Sequence, residues 1–434
     1  MNAIMRDEQE MKDSGIDWIN MFPKSWNKAK LKQIGNYING YAFKPEDWSS
    51  NGLPIIRIQD LTGSNSGEPN FFNGMIDKKY LVKDDDILVS WAATLDAFIW
   101  NKGNGWLNQH IFKAIPNKFI QKRVFFWILK IAMDNMNNDN KHGIVMQHVT
   151  TGLFNNYIVP LPNRDEQQAI ANYLDDRCSK IDTIIAEAKA SIEEYKELKQ
   201  AVIYEAVTKG LDKNVEMKDS EYEFIGNVPE HWMVCKLRHI GLPQNGISTS
   251  GDSFGSGYPF VSYGDVYKNY ELPHEVFGLV ESSDEDRERY SVQAGDIFFT
   301  RTSETKEEIG FSAVCEKTIQ NATFAGFLIR VRPFNNKLDT KFAKYYFRSK
   351  HLRAYFVKEM NLVIRASLGQ DLLKGAPVLL PPKNEQSLIA EYLENKCSTI
   401  DNVIEEKEDI IDNLEAYKKS LIYEVVTGKR KVVA

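Results

Sequence analysis

A chain of 434 residues with 43% hydrophobic and 12% aromatic content is long enough for two or three domains with buried cores. It has no run of the ~18–20 apolar residues that a membrane helix needs, and its first stretch, MNAIMRDEQEMKDSGIDW, lacks the apolar core of a secretion signal; a cytoplasmic protein with no membrane attachment is expected. Cys178, Cys235, Cys315 and Cys397 form no C-x-x-C and the seven histidines show no ligand spacing with them, so neither a metal site nor a disulfide framework is indicated. The formal charge of −6 argues against a polyanionic partner until it is placed along the chain. Residues 164–212 and 383–430 each hold seven basic and eleven acidic residues, so these two segments carry −8 and the remainder +2. Opposite charges three or four residues apart are usual on a solvated helix face. The rest of the chain is free to be locally basic.

In chain order, the leader carries MKDS at 11–14, then Asp17-Trp18-Ile19 and Pro23-x-x-Trp26. Residues 27–117 read as β-rich, with the short runs LPIIRIQDL (53–61) and DDDILVSW (84–91) bounded by Gly, Asn and Asp. The triplet Asp84-Asp85-Asp86 fits a strand-initiating turn better than an acid/base site. Residues 118–134 have a helical pattern, a polar loop follows at 142–152, and YIVPLP (157–162) leads into a long helix. MKDS then recurs at 217–220, followed by Glu223-Phe224-Ile225 and Pro229-x-x-Trp232. The second body keeps the plan: YPFVSYGDVY (258–267), AGDIFFTRTS (294–303) and FLIRVRP (327–333), a helix over about 339–359, the loop VIRASLGQD (363–371), PVLLPP (377–382) and a second long helix. Asp86-Ile87 and Asp296-Ile297 stand at matching strand starts.

The two long helices are one segment written twice. A shift of 219 residues places Glu166-Gln167 on Glu385-Gln386, Tyr173-Leu174 on Tyr392-Leu393, Cys178 on Cys397, Ile181-Asp182 on Ile400-Asp401 and Tyr204-Glu205 on Tyr423-Glu424 without a gap. The second copy has apolar residues at Ile400, Val403, Ile410, Leu414, Tyr417 and Leu421, interrupted by Lys407, and the first has Ile181, Ile184, Ala188, Tyr195, Leu198 and Val202. Steps of three, four and seven make a heptad seam. Seams this narrow on otherwise charged helices predict that the two pack antiparallel. The expected fold class is α+β: two β-rich domains separated by two long helices that pair as an antiparallel coiled coil, a pseudo-twofold internal repeat. The frame is repeated faithfully and the bodies share little side-chain identity, as one scaffold carrying two different recognition surfaces would.

This arrangement resembles the specificity subunit of type I restriction-modification systems over essentially the whole chain. The resemblance lies in the EQ-x-x-IA-x-YL helix openings (Glu166 to Leu174, Glu385 to Leu393), the IYE-x-VT helix ends (Ile203 to Thr208, Ile422 to Thr427), the P-x-x-W turns, and the PLP and LPP approaches to the helices. It implies target recognition domains at 1–162 and 213–382, and spacer helices at 163–212 and 383–434. It further implies that each domain reads half of a bipartite double-stranded DNA target. The helices would set the gap and dock two methyltransferase subunits, which two restriction subunits can join. S-adenosylmethionine, with ATP and Mg in the restriction complex, would be bound by those partners, with no cofactor in this chain. The residues themselves agree with a non-catalytic role: there is no Asn/Asp-Pro-Pro-aromatic motif and no GxxxxGK[ST] loop. A duplicated scaffold binding proteins instead of DNA is the alternative.

Reading bases calls for Arg or Lys toward guanine and Asn or Gln toward adenine, with further basic and hydroxyl side chains on phosphates. Loops flanking strands supply Tyr41, Lys44, Arg57, Gln59, Thr94, Gln109 and Gln147 in the first domain. The second supplies Ser248, Thr249, Ser250, Tyr263, Arg301, Thr302, Ser303, Lys306 and Arg365, with Glu304 and Arg330 behind them. Arg301, in the cluster TRTSETK leaving a strand, is the foremost. Trp91 and His110 fit core positions better than contacts, and Arg57, Arg330 and Arg332 also fit ordinary strand faces. Arg123, Arg348 and Lys350 read as solvated helix residues. About 30 residues of seam span roughly 45 Å, against ~34–36 Å per DNA turn, which predicts half-sites on one DNA face with a fixed gap.

Overall fold

The computed structural model describes residues 2–64, 67–140, 149–248, 251–303, 309–359 and 366–433. The long helices run Arg164–Lys209 and Lys383–Val426. The chain divides into two units, Met1–Ala188 with Asp409–Ala434, and Lys189–Glu408, so each unit holds one body and part of both helices.

In the first unit an antiparallel sheet has the order Asp96–Ile99, Ile87–Ser90, Ile111–Pro116, Gly35–Asn39. A second sheet sets Leu53–Ile56 parallel to Gly105–Leu107. The second unit repeats this plan with Ser312–Val314, Ile297–Thr300, Leu328–Pro333, Gly241–Asn245, and with Phe260-Val261 parallel to Thr323-Phe324. The residues leading into each long helix are strands that close their own body: Ile158–Leu161 pairs with Asn27–Lys30, and Pro377–Leu380 with Met233–Lys236. The second helix stops at Val426, and Arg430–Val433 pairs antiparallel with Asn2–Met5.

Three stretches depart from the sequence reading. LPIIRIQDL and YPFVSYGDVY are strands only to Ile56 and Val261, after which Ile58–Thr62 and Tyr263–Lys268 turn helical, because Asp60 and Asp265 accept the N–H of Arg57 and Ser262 at 2.8 Å and cap the turn. The helix expected near 339–359 is broken at Ser349 into Thr340–Arg348 and Lys350–Glu359. Asp86 and Asp296 do start strands, accepting the N–H of Lys83 and Gln293 at 2.8 Å.

The repeated motifs do the same work twice. Trp26 and Trp232, both 1% exposed, each donate their indole N–H at 3.0 Å to the glutamate opening a long helix, Glu166 and Glu385. The second acceptor oxygen is taken by Arg6 in the first unit and by His231 in the second. The adjacent glutamine is buried and fully bonded. Gln167 accepts from Gln121 N–H (2.7 Å) and donates to the carbonyls of Phe119 (3.2 Å) and Pro162 (3.1 Å). Gln386 accepts from Asp339 N–H (2.7 Å) and donates to Lys337 and Pro381 (both 2.9 Å). At the other ends Tyr204 and Tyr423 donate to the carbonyls of Ile225 and Trp18, while Thr208 and Thr427 bond back to Tyr204 and Tyr423. Left-handed Gly428 follows the second helix, and a Cβ there would lie 2.4 Å from Pro23, so the P-x-x-W turn demands glycine at that place.

The helices pair antiparallel in each unit, with Lys418 against Asp182 at 2.5 Å in the first and Lys199 against Asp401 at 2.6 Å in the second. The seam is displaced from the expected one. Ile181, Ile400 and Leu421 are buried and Ala188, Tyr195, Val202, Val403 and Leu414 half-buried, but Ile184, Leu198, Ile410 and Tyr417 are 48–50% exposed. Ile185, Ile192 and Ile411 are buried instead, and Lys199 and Lys418 take the remaining places. Steps of three and of four from Ile181 both satisfy a heptad, and the adjacent pairs Ile184-Ile185 and Ile410-Ile411 give the sequence no means of choosing between them. The matched thiols Cys178 and Cys397 are buried, which pushes them up to about 12 and about 11 and leaves them poor nucleophiles. Among the described residues no helix is long and apolar enough to cross a membrane.

Replacing Gln386 by Ala strands one N–H and two carbonyls. It is expected to cost about 1–3 kcal/mol, read as a lower urea midpoint, with exposed Asn402→Ala as an unchanged control. His351 lies buried between the rings of Tyr204 (5.6 Å) and Tyr346 (5.4 Å), and burial pushes it down to about 3. The unfolded chain, with histidine near its ordinary ~6.5, takes the proton first. This contribution is therefore complete above about pH 6.5 and lost as pH falls toward 3. A His351→Phe variant should show a shallower loss of stability over that range in pH-dependent denaturation.

Candidate nucleic-acid interface

At one corner of each body the end of a central strand meets a turn and the strand Gly35–Asn39 or Gly241–Asn245. In the first domain Gly40 N–H donates to Ile111 O (3.0 Å), Tyr41 N–H to Leu107 O (2.8 Å), Trp91 N–H to His110 O (3.1 Å) and Val149 N–H to Trp91 O (2.9 Å). In the second, Gly246 N–H donates to Leu328 O (3.3 Å), Ile247 N–H to Phe324 O (2.9 Å), Arg301 N–H to Phe327 O (2.9 Å) and Leu368 N–H to Arg301 O (2.7 Å). Four bonds, matched one for one, make the two corners the same frame. Both need glycine after asparagine: a Cβ on Gly40 would lie 1.9 Å from Asn108 O, and one on Gly246 2.2 Å from Phe324 O.

This corner gathers Tyr41, Gln109 and His110 with Trp91 in the first domain, where Gln109 N–H also donates to Tyr41 O at 2.8 Å. Thr94 is exposed in the turn just beyond. Neither Trp91 nor His110 belongs to the core: His110 is exposed with φ 71°, and Trp91 is half-buried, stacked on Phe112 at 5.8 Å, with its indole N–H on Asn39 Oδ1 at 3.2 Å. Lys44 is exposed and opens the short turn Pro45–Asp47. Arg57 is not on a strand face; it precedes the turn bearing Gln59, 5.3 Å from the ring centre of Trp48. In the second domain Ser248 is exposed beside Gly326, and Arg301 leads into Thr302-Ser303, which pairs with Ala366-Ser367. Tyr263 is half-buried against the core and stacked on Tyr267. Gln147, Thr249, Ser250, Glu304, Lys306 and Arg365 lie outside the described residues.

Three arginines are structural. Arg330, 6% exposed, donates to Ser291 O at 2.6 Å and to Gln244, and Arg332 holds Asp296 at 2.6 and 2.7 Å. Arg348 is buried, not solvated: its guanidinium donates to the carbonyls of Val266, Asn269, Ser312 and Tyr267 at 2.6–2.9 Å and so fixes the turn after Tyr263. The sequence reading passed over Phe327, 63% exposed at the corner, and the repeated Asn39-Gly40 and Asn245-Gly246. The signal was present, since these pairs share the 206-residue shift of the two MKDS segments.

The model of the type I restriction modification DNA specificity domain matches residues 23–194 and 229–416. The chain belongs to this family. The two matches take in both bodies and most of both long helices, so this specificity subunit carries the family's domain twice. It is 25% identical over 407 residues to the EcoBI specificity subunit of Escherichia coli, covering 91% of this chain and 84% of that one. Against the MjaVIII specificity subunit of Methanocaldococcus jannaschii it is 25% identical over 425 residues, covering 94% of each. A chain in a solved structure concerned with assembly and conformational transition of the type I R-M system shares the fold, with a TM-score of 0.69 at 14% identity, covering 94% of this chain and 99% of that one. The protein is a DNA sequence-specificity subunit, and subunits of this kind are non-catalytic.

Arg348→Met would leave four carbonyls without their cation and is expected to cost at least about 2–3 kcal/mol, measured as a lower melting temperature with the paired helices retained by circular dichroism.

Proposed function

We propose that each globular domain of this specificity subunit reads one half of a bipartite double-stranded DNA target, and that the paired helices set the gap. The observation that carries this is the repeated corner, whose backbone is the same in both domains while the side chains on it differ. The same helices dock two methyltransferase subunits, whose S-adenosylmethionine supplies the methyl group. Two restriction subunits, using ATP and Mg, join the same assembly in the cytoplasm. This chain contributes recognition and spacing, with methylation and cleavage supplied by its partners.

The test is to co-express the chain with the methyltransferase subunit of its own system and map N6-methyladenine across the host genome. A bipartite motif with a fixed gap, present only with the chain, is expected. Inserting seven residues near Thr208 adds about 10 Å of helix and is expected to lengthen the gap by about three base pairs. An assembled complex that yields no chain-dependent motif would favour the protein-binding scaffold, and a motif whose gap ignores the insertion would remove the spacer role.

A further inference from the structure

The corner carries an inference that rests on the half-site reading. Asparagine and glycine recur at the two corners, and among the matched positions that differ His110 and Phe327 are exposed. Asn39 and Asn245 are constant, and their side chains are engaged within the corner, accepting from Trp91 Nε1 (3.2 Å) and Gln370 Nε2 (3.0 Å). Gly40 and Gly246 are constant because the facing backbone leaves no room for a side chain. The strand end and the facing turn are not constant: Trp91 with His110 in one domain stands where Arg301 with Phe327 stands in the other.

We propose that these two positions choose the bases, so that Trp91 with His110, and Arg301 with Phe327, set the sequence preference at one matching place in each half-site. Arg301 brings a planar fork of donors, suited to the O6 and N7 acceptors of guanine in the major groove. Phe327, 63% exposed with no core to fill, offers an apolar face for a thymine methyl or a base step. In the first domain the Trp91 indole N–H is taken by Asn39, so its ring presents an apolar edge and the exposed His110 supplies the polar atoms. His110 is held at φ 71°, a backbone state that costs a non-glycine residue free energy and gathers at binding sites. At another matched pair the side chains are engaged locally: Ser262 is committed to Asp265 at 2.7 Å, and its counterpart Arg57 lies against Trp48.

The experiment uses the full chain assembled with its methyltransferase subunits and maps methylated motifs for Arg301→Ala, Arg301→Lys, Phe327→Ala and His110→Ala. Arg301→Ala is expected to lower discrimination at one base pair of one half-site by about 10- to 100-fold, leaving the other half and the gap unchanged. Phe327→Ala should act on the same half and His110→Ala on the other. Arg301→Lys keeps charge and length while losing the fork, so it relaxes the same base pair even if the alanine variant assembles poorly. Wild-type motifs in all four assembled variants would overturn the proposal. So would a uniform fall in methylation with base preference intact, the mark of a phosphate contact. A wild-type complex that gives no bipartite motif would remove the half-site reading itself, an outcome distinct from either.

Discussion

The structure depends on how a carboxylate and an amide are held at the mouth of each long helix. Glu166 and Glu385 accept from a buried tryptophan in the P-x-x-W turn, and Gln167 and Gln386 bond three backbone groups of the body beside them. A buried amide with all its partners in place tolerates few alternatives, since any shift of the helix strands polar groups away from water. The helix opening, the leader and the globular body are therefore fixed to each other through adjacent residues. That is why these residues recur while the surfaces they carry do not.

This separates support from display. The support is made of backbone bonds and of glycines at points of close approach, neither of which depends on the identity of the displayed side chains. A strand end can then exchange tryptophan for arginine without loss of the corner, because the four bonds that define it come from main-chain atoms. Arg348 serves the same end by a different route, tying a helix to four carbonyls of the turn and strand it packs on.

Much of this was legible in the sequence, for reasons that can be stated. The helices were found because they occur twice without a gap, and their antiparallel pairing followed from two narrow seams. Their phase was misplaced because adjacent isoleucines satisfy both steps of a heptad. Arg301 stood out as a charge at a strand end, whereas Phe327 did not: a phenylalanine before an apolar strand reads as core, and only the turn geometry exposes it. His110 and Trp91 were misjudged for the same reason. Arg348 looked solvated because its acceptors lie 36–82 residues away in the chain, and carbonyls leave no trace in a sequence. The repeated Asn-Gly was concealed because the offset between the bodies changes from 206 to 219 along the chain as loops lengthen.

The two ion pairs along the helices are a single pair seen twice. Asp401 is the counterpart of Asp182, and Lys418 that of Lys199, under the 219-residue shift. One helix thus holds both halves of the bridge, seventeen residues apart, and the second helix supplies their mirror. A half-length chain would carry everything required to clasp an inverted copy of itself. The covalent joining of two halves therefore adds no new clasp; what it adds is the freedom for the two bodies to become different.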